Sequence, residues 1–141
     1  LIQSKPKTHI MDRDESILSM RPEIVQTQTG GSISAEELFQ NRTLRPILKG
    51  QNDLLLALFD AYVVAHKGVF NRLALERKGA YIDAAVQKDV AFRNTLKGIV
   101  IGQMTSKEFK HYGENSASYN KRISSMIKER FKSQIQILGQ H

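Results

Sequence analysis

Residues 44–59 read LRPILKGQNDLLLALF, and this stretch decides the fold predicted for the chain. Its apolar residues repeat at helical spacing, but a proline lies in the first half and a polar Gln-Asn-Asp segment separates the halves. Because a proline ring clashes with the carbonyl four residues back, we expect a kink at Pro46 or a break near residues 43–45. The apolar run at 54–59 covers most of a helix circumference. It is either the central helix of a bundle or a helix shared with a second subunit, and central burial is the simpler interpretation.

Helical signals continue on both sides of this stretch. Ser34 and Glu37 have the spacing of a capping box, which predicts that the main body of the chain starts there. Thr105 and Glu108 have the same spacing. After this second box, apolar residues step by three and four positions to about Leu138, which predicts one long C-terminal helix.

Glycines and prolines mark where the predicted helices weaken or end. Gly79 should interrupt one helix, Gly102 should end another, and Gly113 is a weak point in the C-terminal helix. Pro22 should end a short first helix. No stretch alternates apolar and polar residues as a strand would. The sequence therefore predicts an all-α, single-domain bundle of about four to five helices, with a kinked central helix and a long C-terminal helix.

The chain divides into two parts at a polar segment that contains two glycines. Residues 26–32 read QTQTGGS, which is typical of a linker. We expect residues 1–33 to form an N-terminal arm and linker, and residues 34–141 to form the helical bundle domain. The arm either docks on the domain or is mobile. Met11 opens the sequence MDRDESIL, so residues 1–10 either were added to the natural chain or follow an upstream start, and no function is predicted for them.

The composition excludes several classes of site. None of the 141 residues is cysteine, which rules out disulfides, thiolate zinc sites and cysteine nucleophiles. No secretory signal is visible. The longest apolar stretch, residues 54–65, contains Asp60 and is shorter than the roughly 20 residues that a membrane-spanning helix needs. We therefore expect a cytoplasmic protein without a membrane span, and the sequence predicts neither a metal site nor a cofactor.

The formal net charge of +7 favours an acidic partner, such as nucleic acid or an acidic protein. Lys121, Lys128 and Lys132 share one side of the last helix, as a phosphate-binding row requires, and Arg122 and Arg130 point elsewhere on it. A second row consists of Arg42, Arg45 and Lys49, beside the proline. We expect a non-enzymatic protein that binds nucleic acid before acidic protein through these residues. The alternative is that they form a solvated helix face.

A second hypothesis places a small-ligand or enzymatic pocket between helices. Its candidate residues are Asp53, Asp60, Tyr62, His66 and Tyr112. Glu108 and His111 also show the E-x-x-H spacing of di-iron bundles, but such a site needs a second copy that this sequence lacks. A third hypothesis is a homo-oligomeric scaffold, with a homodimer as its simplest form.

The polar segment at 51–53 leaves a question open. A kink at Pro46 can leave the carbonyl of Arg42 without its helical donor, and we expect neighbouring side chains to satisfy the freed backbone groups. If the segment instead faces a groove beside Arg42 and Lys49, it is a candidate ligand site.

Three stretches resemble a family of short, all-helical bacterial proteins of unassigned function: FQNRTLRPILKGQNDLLLALF, QKDVAFRNTLKGIVIGQMT and NKRISSMIKERFKSQIQIL. The resemblance runs from about Met11 to Leu138, and some members of the family are labelled glyoxalases. The residues argue against that activity here. Metal-dependent glyoxalases place histidine and glutamate ligands on strands or use H-x-H-x-D-H, whereas this sequence predicts no strands and lacks that motif. The resemblance therefore implies a family but no catalytic residue.

Overall fold

The computed structural model of this chain describes residues 12–23 and 33–139. Within these ranges the chain is all-helical, with seven helices and no strand, which confirms the all-α class. The predicted number of four to five helices is too low. The interpretations of residues 1–10, of the linker at 26–32 and of the chain beyond residue 139 lie outside the described residues.

From the second helix onward, connections of one to nine residues join successive helices. The helices are α1 (Arg13–Met20), α2 (residues 35–50), α3 (Asn52–Ala65), α4 (Leu75–Lys88), α5 (Val90–Gly102), α6 (Ser106–Gly113) and α7 (Ser116–Ser133). A single 3₁₀ turn, Val69–Arg72, lies between α3 and α4. Helices α4, α5 and α7 pack on one another.

Local signals placed most helix ends correctly. Asp12 caps α1, Ser34 caps α2 by accepting a hydrogen bond from the amide of Glu37, and Thr105 and Glu108 form the predicted capping box of α6. Helix α5 ends at Gly102, as predicted.

The prediction that Gly79 interrupts a helix was wrong, whereas the weak point predicted at Gly113 is a helix end. Gly79 lies inside the unbroken helix α4, because packing of the apolar face of that helix outweighs the propensity cost of about 1 kcal/mol for a glycine. Gly113, in contrast, ends α6, so the predicted long C-terminal helix is two helices. The second of these ends at Ser133, short of Leu138, and the last residues form turns.

Helix α2 deviates from α-helical geometry just before Pro46. Its residues 40–44 form a π turn, in which the amide of Arg45 bonds to the carbonyl of Gln40, five residues back. Proline has no amide N–H to donate to the helical hydrogen bonds, and its ring clashes with the carbonyl four residues back. An extra residue in the preceding turn relieves this clash. The helix is not split near residues 43–45. It ends instead at Gly50, and Gln51 turns the chain into α3.

The core lies between α2, α3 and the packed group of α4, α5 and α7. Phe59 of α3 is fully buried, and its ring contacts those of Phe70 and Phe131 at centroid distances of 5.1 and 5.0 Å. Helix α3 is nevertheless not the central helix of the bundle. It buries Leu55, Phe59 and Val63, on one stripe, and leaves its opposite face open.

Helix α1 docks on the start of α6 through polar contacts, and none of its own residues is buried. Asp14 accepts hydrogen bonds from the amide of Ser106, and Arg21 forms an ion pair of 2.7 Å with Glu108. The division of the chain into an arm and a domain stays a prediction. None of the helices within residues 12–23 and 33–139 combines the length and apolar character needed to cross a membrane.

Candidate functional site

A groove of about 630 Å³ lies between α2 and α7. Three arginine side chains, Arg45, Arg122 and Arg130, line it, and we call it the arginine groove. The other lining residues are Leu48 and Met126, which are apolar, Gln40, Ser125 and Ser133, which are polar, and one acidic residue, Glu129. Arg45 comes from the helix that carries the π turn, and the other two arginines are eight residues apart on α7.

Each of the three guanidinium groups is held by the side-chain oxygen of a neutral amide. The contacts are Arg122 Nη1 to Gln40 Oε1 at 2.7 Å, Arg130 Nη1 to Asn52 Oδ1 at 3.2 Å, and Arg45 Nε to Asn41 Oδ1 at 3.4 Å. The amide oxygens accept hydrogen bonds and so restrict the orientation of the arginines. They carry no net charge, so the positive charge of the arginines is retained.

No carboxylate of the described residues compensates this charge through an ion pair. Among the ion pairs formed by residues 12–23 and 33–139, none includes Arg45, Arg122 or Arg130. Burial, and then the nearby charge of Arg45, lower the pKa of Arg130 below its ordinary value. The same repulsion that lowers this pKa would be relieved by an anion in the groove. The groove is therefore lined by three cations that no described ion pair neutralises.

Asn52, in the polar segment at 51–53, links the start of α3 to the end of α7 by hydrogen bonds. Its oxygen accepts hydrogen bonds from Arg130 and from Gln134, and its amide nitrogen donates to Gln134 Oε1 at 2.8 Å. Asp53 is exposed, and Gln51 lines a small recess beside α1. The segment therefore does not form a shared groove with Arg42 and Lys49. Its contact with the arginine groove is the hydrogen bond that Asn52 accepts from Arg130.

The structure gathers only part of the predicted basic set. Lys132 forms an ion pair with Asp83 at 2.8 Å, and Lys49 reaches the carbonyl of Glu23 at 3.5 Å. Arg42 lines a different groove of about 290 Å³, together with Leu38, Phe39 and residues of α6. Lys121 and Lys128 line neither groove. Arg122 and Arg130, which the sequence placed off the lysine row, converge with Arg45 of the second row.

The residues of the predicted small-ligand pocket make separate contacts in the described part of the chain. Tyr62 lines a groove of about 510 Å³ that includes Tyr81 and Asp89, and His66 stacks on Tyr62 at 3.9 Å. The hydroxyl group of Tyr112 donates to Asn120. Asp60 accepts a hydrogen bond from the amide of Gly139, and Asp53 is exposed.

Two further observations concern the chemistry of Tyr62 and of the E-x-x-H pair. Burial, and then the charge of Asp89, raise the pKa of Tyr62, so its phenol stays protonated at neutral pH. The E-x-x-H pair is also engaged elsewhere, because Glu108 bonds to Arg21 and His111 bonds to the hydroxyl of Tyr119 at 2.8 Å. Within the described ranges, no group of three histidine, aspartate or glutamate side chains is arranged to hold a metal ion.

Sequence reasoning missed Gln40 and Asn41 and included Asn52 only as part of the polar segment at 51–53. The pair of Asn41 and Arg45 has i, i+4 spacing and could have been found from the sequence. The other two pairs are separated by 82 and 78 residues and depend on how α7 packs. Comparison of the chain with protein-family models, curated proteins and solved structures finds no match.

Proposed function

We propose that this chain is a binding protein for an acidic macromolecule, nucleic acid before acidic protein, and that it holds phosphate groups in the arginine groove. The observation that carries the proposal is the convergence of Arg45, Arg122 and Arg130 on one groove, each held by a neutral amide and none in an ion pair within the described part of the chain. Sites with this composition attract anions.

The chemistry of the guanidinium group supports phosphate as the bound group. Arginine presents several donors in a rigid, planar fork and bonds phosphate oxygens in pairs. The hydroxyl group of Ser125 adds a donor on the α7 side of the groove. The net charge of +7 adds a long-range attraction for a polyanion. Glu129 opposes it locally, but one carboxylate does not cancel three cations.

The test is binding of fluorescently labelled single-stranded RNA and of a DNA duplex, measured by anisotropy over a series of salt concentrations. We expect binding at low salt that weakens steeply as salt rises. Arg45→Gln should lower the affinity for RNA and reduce the slope of log K against log salt by about 0.7 for each phosphate that the variant no longer neutralises. Arg77→Gln, which removes the same charge from an exposed site on α4, is the matched control and should change the slope little.

A second pair of variants tests the role of the neutral amides. Gln40→Glu keeps the size of the side chain that holds Arg122 but turns its acceptor into a carboxylate, so it should neutralise one guanidinium and weaken RNA binding. Gln87→Glu makes the same change on an exposed residue of α4 and should leave binding nearly unchanged. Absence of binding at low salt, or equal loss in Gln40→Glu and Gln87→Glu, would contradict the proposal.

One observation favours a small anionic ligand as a second candidate. The groove volume of about 630 Å³ is within the range of about 300–1,000 Å³ typical of ligand pockets. A nucleoside monophosphate titrated by calorimetry distinguishes the two. Tight binding of the nucleotide with no binding of RNA would favour the small ligand, and the reverse would favour the macromolecule.

A further inference from the structure

The outward face of α3 is apolar although nothing in the described structure covers it. Leu54 and Val64 are 48% and 68% exposed, and the two alanines between them, Ala57 and Ala61, are exposed as well. These four residues are spaced by three, four and three positions, so they form one straight stripe along the helix. Outward faces of bundle helices are ordinarily polar. We call this stripe the α3 face.

We propose that the α3 face is covered by the α3 face of a second copy of this chain, packed antiparallel across a two-fold axis. The proposal does not rest on the arginine groove. Under such an axis one patch must complement itself. The α3 face does so, because Leu54 then lies opposite Val64 of the second copy and Ala57 lies opposite Ala61 of the second copy.

The order of side-chain sizes along the face fits this arrangement. The two small residues lie in the middle, where crossing helices come closest, and the two larger residues lie at the ends. Because the distance between helix axes is set by the side chains at the contact, alanines at the centre allow close approach. Leu54 and Val64 then fill the widening space on either side.

The charges at the ends of the face indicate the antiparallel direction. Asp53 lies at the start of α3, and Lys67 lies just past its end, and neither takes part in an ion pair within the described part of the chain. Antiparallel packing brings Asp53 of each copy towards Lys67 of the other. Parallel packing would instead place like charges side by side. Opposed helix dipoles favour the same direction.

The opposite stripe of α3 shows that the face is not needed for folding of the single chain. Leu55, Phe59 and Val63 are almost completely buried and supply the contribution of this helix to the core. Substitutions on the α3 face can therefore be made without opening the core. This separates the effects on association from those on folding.

The first test is sedimentation equilibrium of the full chain over a range of concentrations. We expect a reversible dimer, twice the 16.0 kDa of the chain, in the micromolar range, since one pair of helices buries less surface than the large obligate interfaces. Val64→Lys should raise the dissociation constant at least about tenfold, because it buries a charge in an apolar contact. Val90→Lys changes the same residue type at a 55% exposed position on α5 and should have little effect.

A charge exchange tests the direction of packing. Asp53→Lys should weaken the dimer, and the double variant Asp53→Lys with Lys67→Asp should restore it. Lys67 has a φ of 64°, a left-handed conformation that aspartate tolerates. A monomer at every concentration, or equal effects of Val64→Lys and Val90→Lys, would overturn the proposal. A double variant no tighter than Asp53→Lys alone would overturn the antiparallel arrangement.

Discussion

Glu108 is the residue at which three separate parts of the chain meet: the end of α1, the middle of α2 and the start of α6. Its carboxylate accepts hydrogen bonds from Arg21 at 2.7 and 2.9 Å, from Thr43 at 3.2 Å and from the amide of Thr105 at 2.9 Å. Burial by itself would raise the pKa of Glu108. The hydrogen bonds from Arg21, Thr105 and Thr43 and the charge of Arg21 outweigh burial and lower the pKa below its ordinary value. Ionised Glu108 therefore stabilises the folded state.

The pH dependence of this stabilisation has a definite sign. A pKa that is lower in the folded than in the unfolded state contributes stability above the unfolded value of about 4.3, and the contribution is lost as pH falls through the folded pKa. We expect Glu108→Gln to lower the free energy of unfolding by about 1–3 kcal/mol at pH 7, with the difference from wild type shrinking below about pH 4. Urea unfolding at pH 7, 5 and 3 measures it.

The control for this prediction is Glu76→Gln. Glu76 is exposed on α4, so its replacement should change the free energy of unfolding by no more than about 0.5 kcal/mol at neutral pH. A Glu108→Gln variant that stays as stable as wild type at pH 7, or whose deficit does not shrink on acidification, would contradict the role assigned to the carboxylate.

Glu108 also shows how far single residues could be predicted from the sequence. Its capping box with Thr105 spans three residues, and the local pattern predicted it correctly. Its ion pair with Arg21 spans 87 residues and depends on where α1 docks. Of the arginine groove, the sequence predicted the three arginines as part of a larger basic set. It did not predict which of that set converge, because the packing of α2 on α7 decides this.

At the scale of elements, α3 has two apolar faces, one buried in the core and one exposed. The apolar run predicted a central helix because composition alone cannot distinguish a helix buried on all sides from one that also exposes an apolar face. The structure separates the two stripes, with Phe59 buried and Val64 exposed five residues later. The position of each side chain around the helix, and not the composition, carries the distinction.

Substitutions at these two positions should therefore have very different costs. Phe59→Ala should lower the free energy of unfolding by about 3–5 kcal/mol, because it leaves a cavity among Phe70, Phe131 and other rings. Val64→Ala should change it by no more than about 0.5 kcal/mol. Chemical denaturation at low protein concentration, where association is negligible, measures both. Similar losses in the two variants would mean that α3 is oriented differently.

The proline shows a different limit of prediction for a helix. The sequence predicted an irregularity at Pro46 because the ring cannot be accommodated in an ideal helix. It did not predict a π turn at residues 40–44, since several distortions relieve the same clash. The choice matters for the site, because Gln40 and Asn41, which hold Arg122 and Arg45, lie in this turn.

At the scale of the whole molecule, helical periodicity correctly predicted the fold class. The number of helices was underestimated where a break depended on tertiary contacts. One apolar pattern runs through Gly113, yet the chain turns there and packs α6 and α7 separately. From the net charge of the chain we predicted a negatively charged partner. The grouping of three cations around one groove is visible only in the folded chain.

An anion that binds only the folded chain must also raise its overall stability. At ten times its dissociation constant, inorganic phosphate should add about 1.4 kcal/mol, which corresponds to roughly 5 °C in Tm for a chain of this size. Thermal unfolding in phosphate, compared with chloride at the same ionic strength, measures this shift. Phosphate also stabilises proteins in general by exclusion from their surface. Gln40→Glu should retain this general effect and lose the specific one, so equal shifts in wild type and Gln40→Glu would place the bound anion outside the arginine groove.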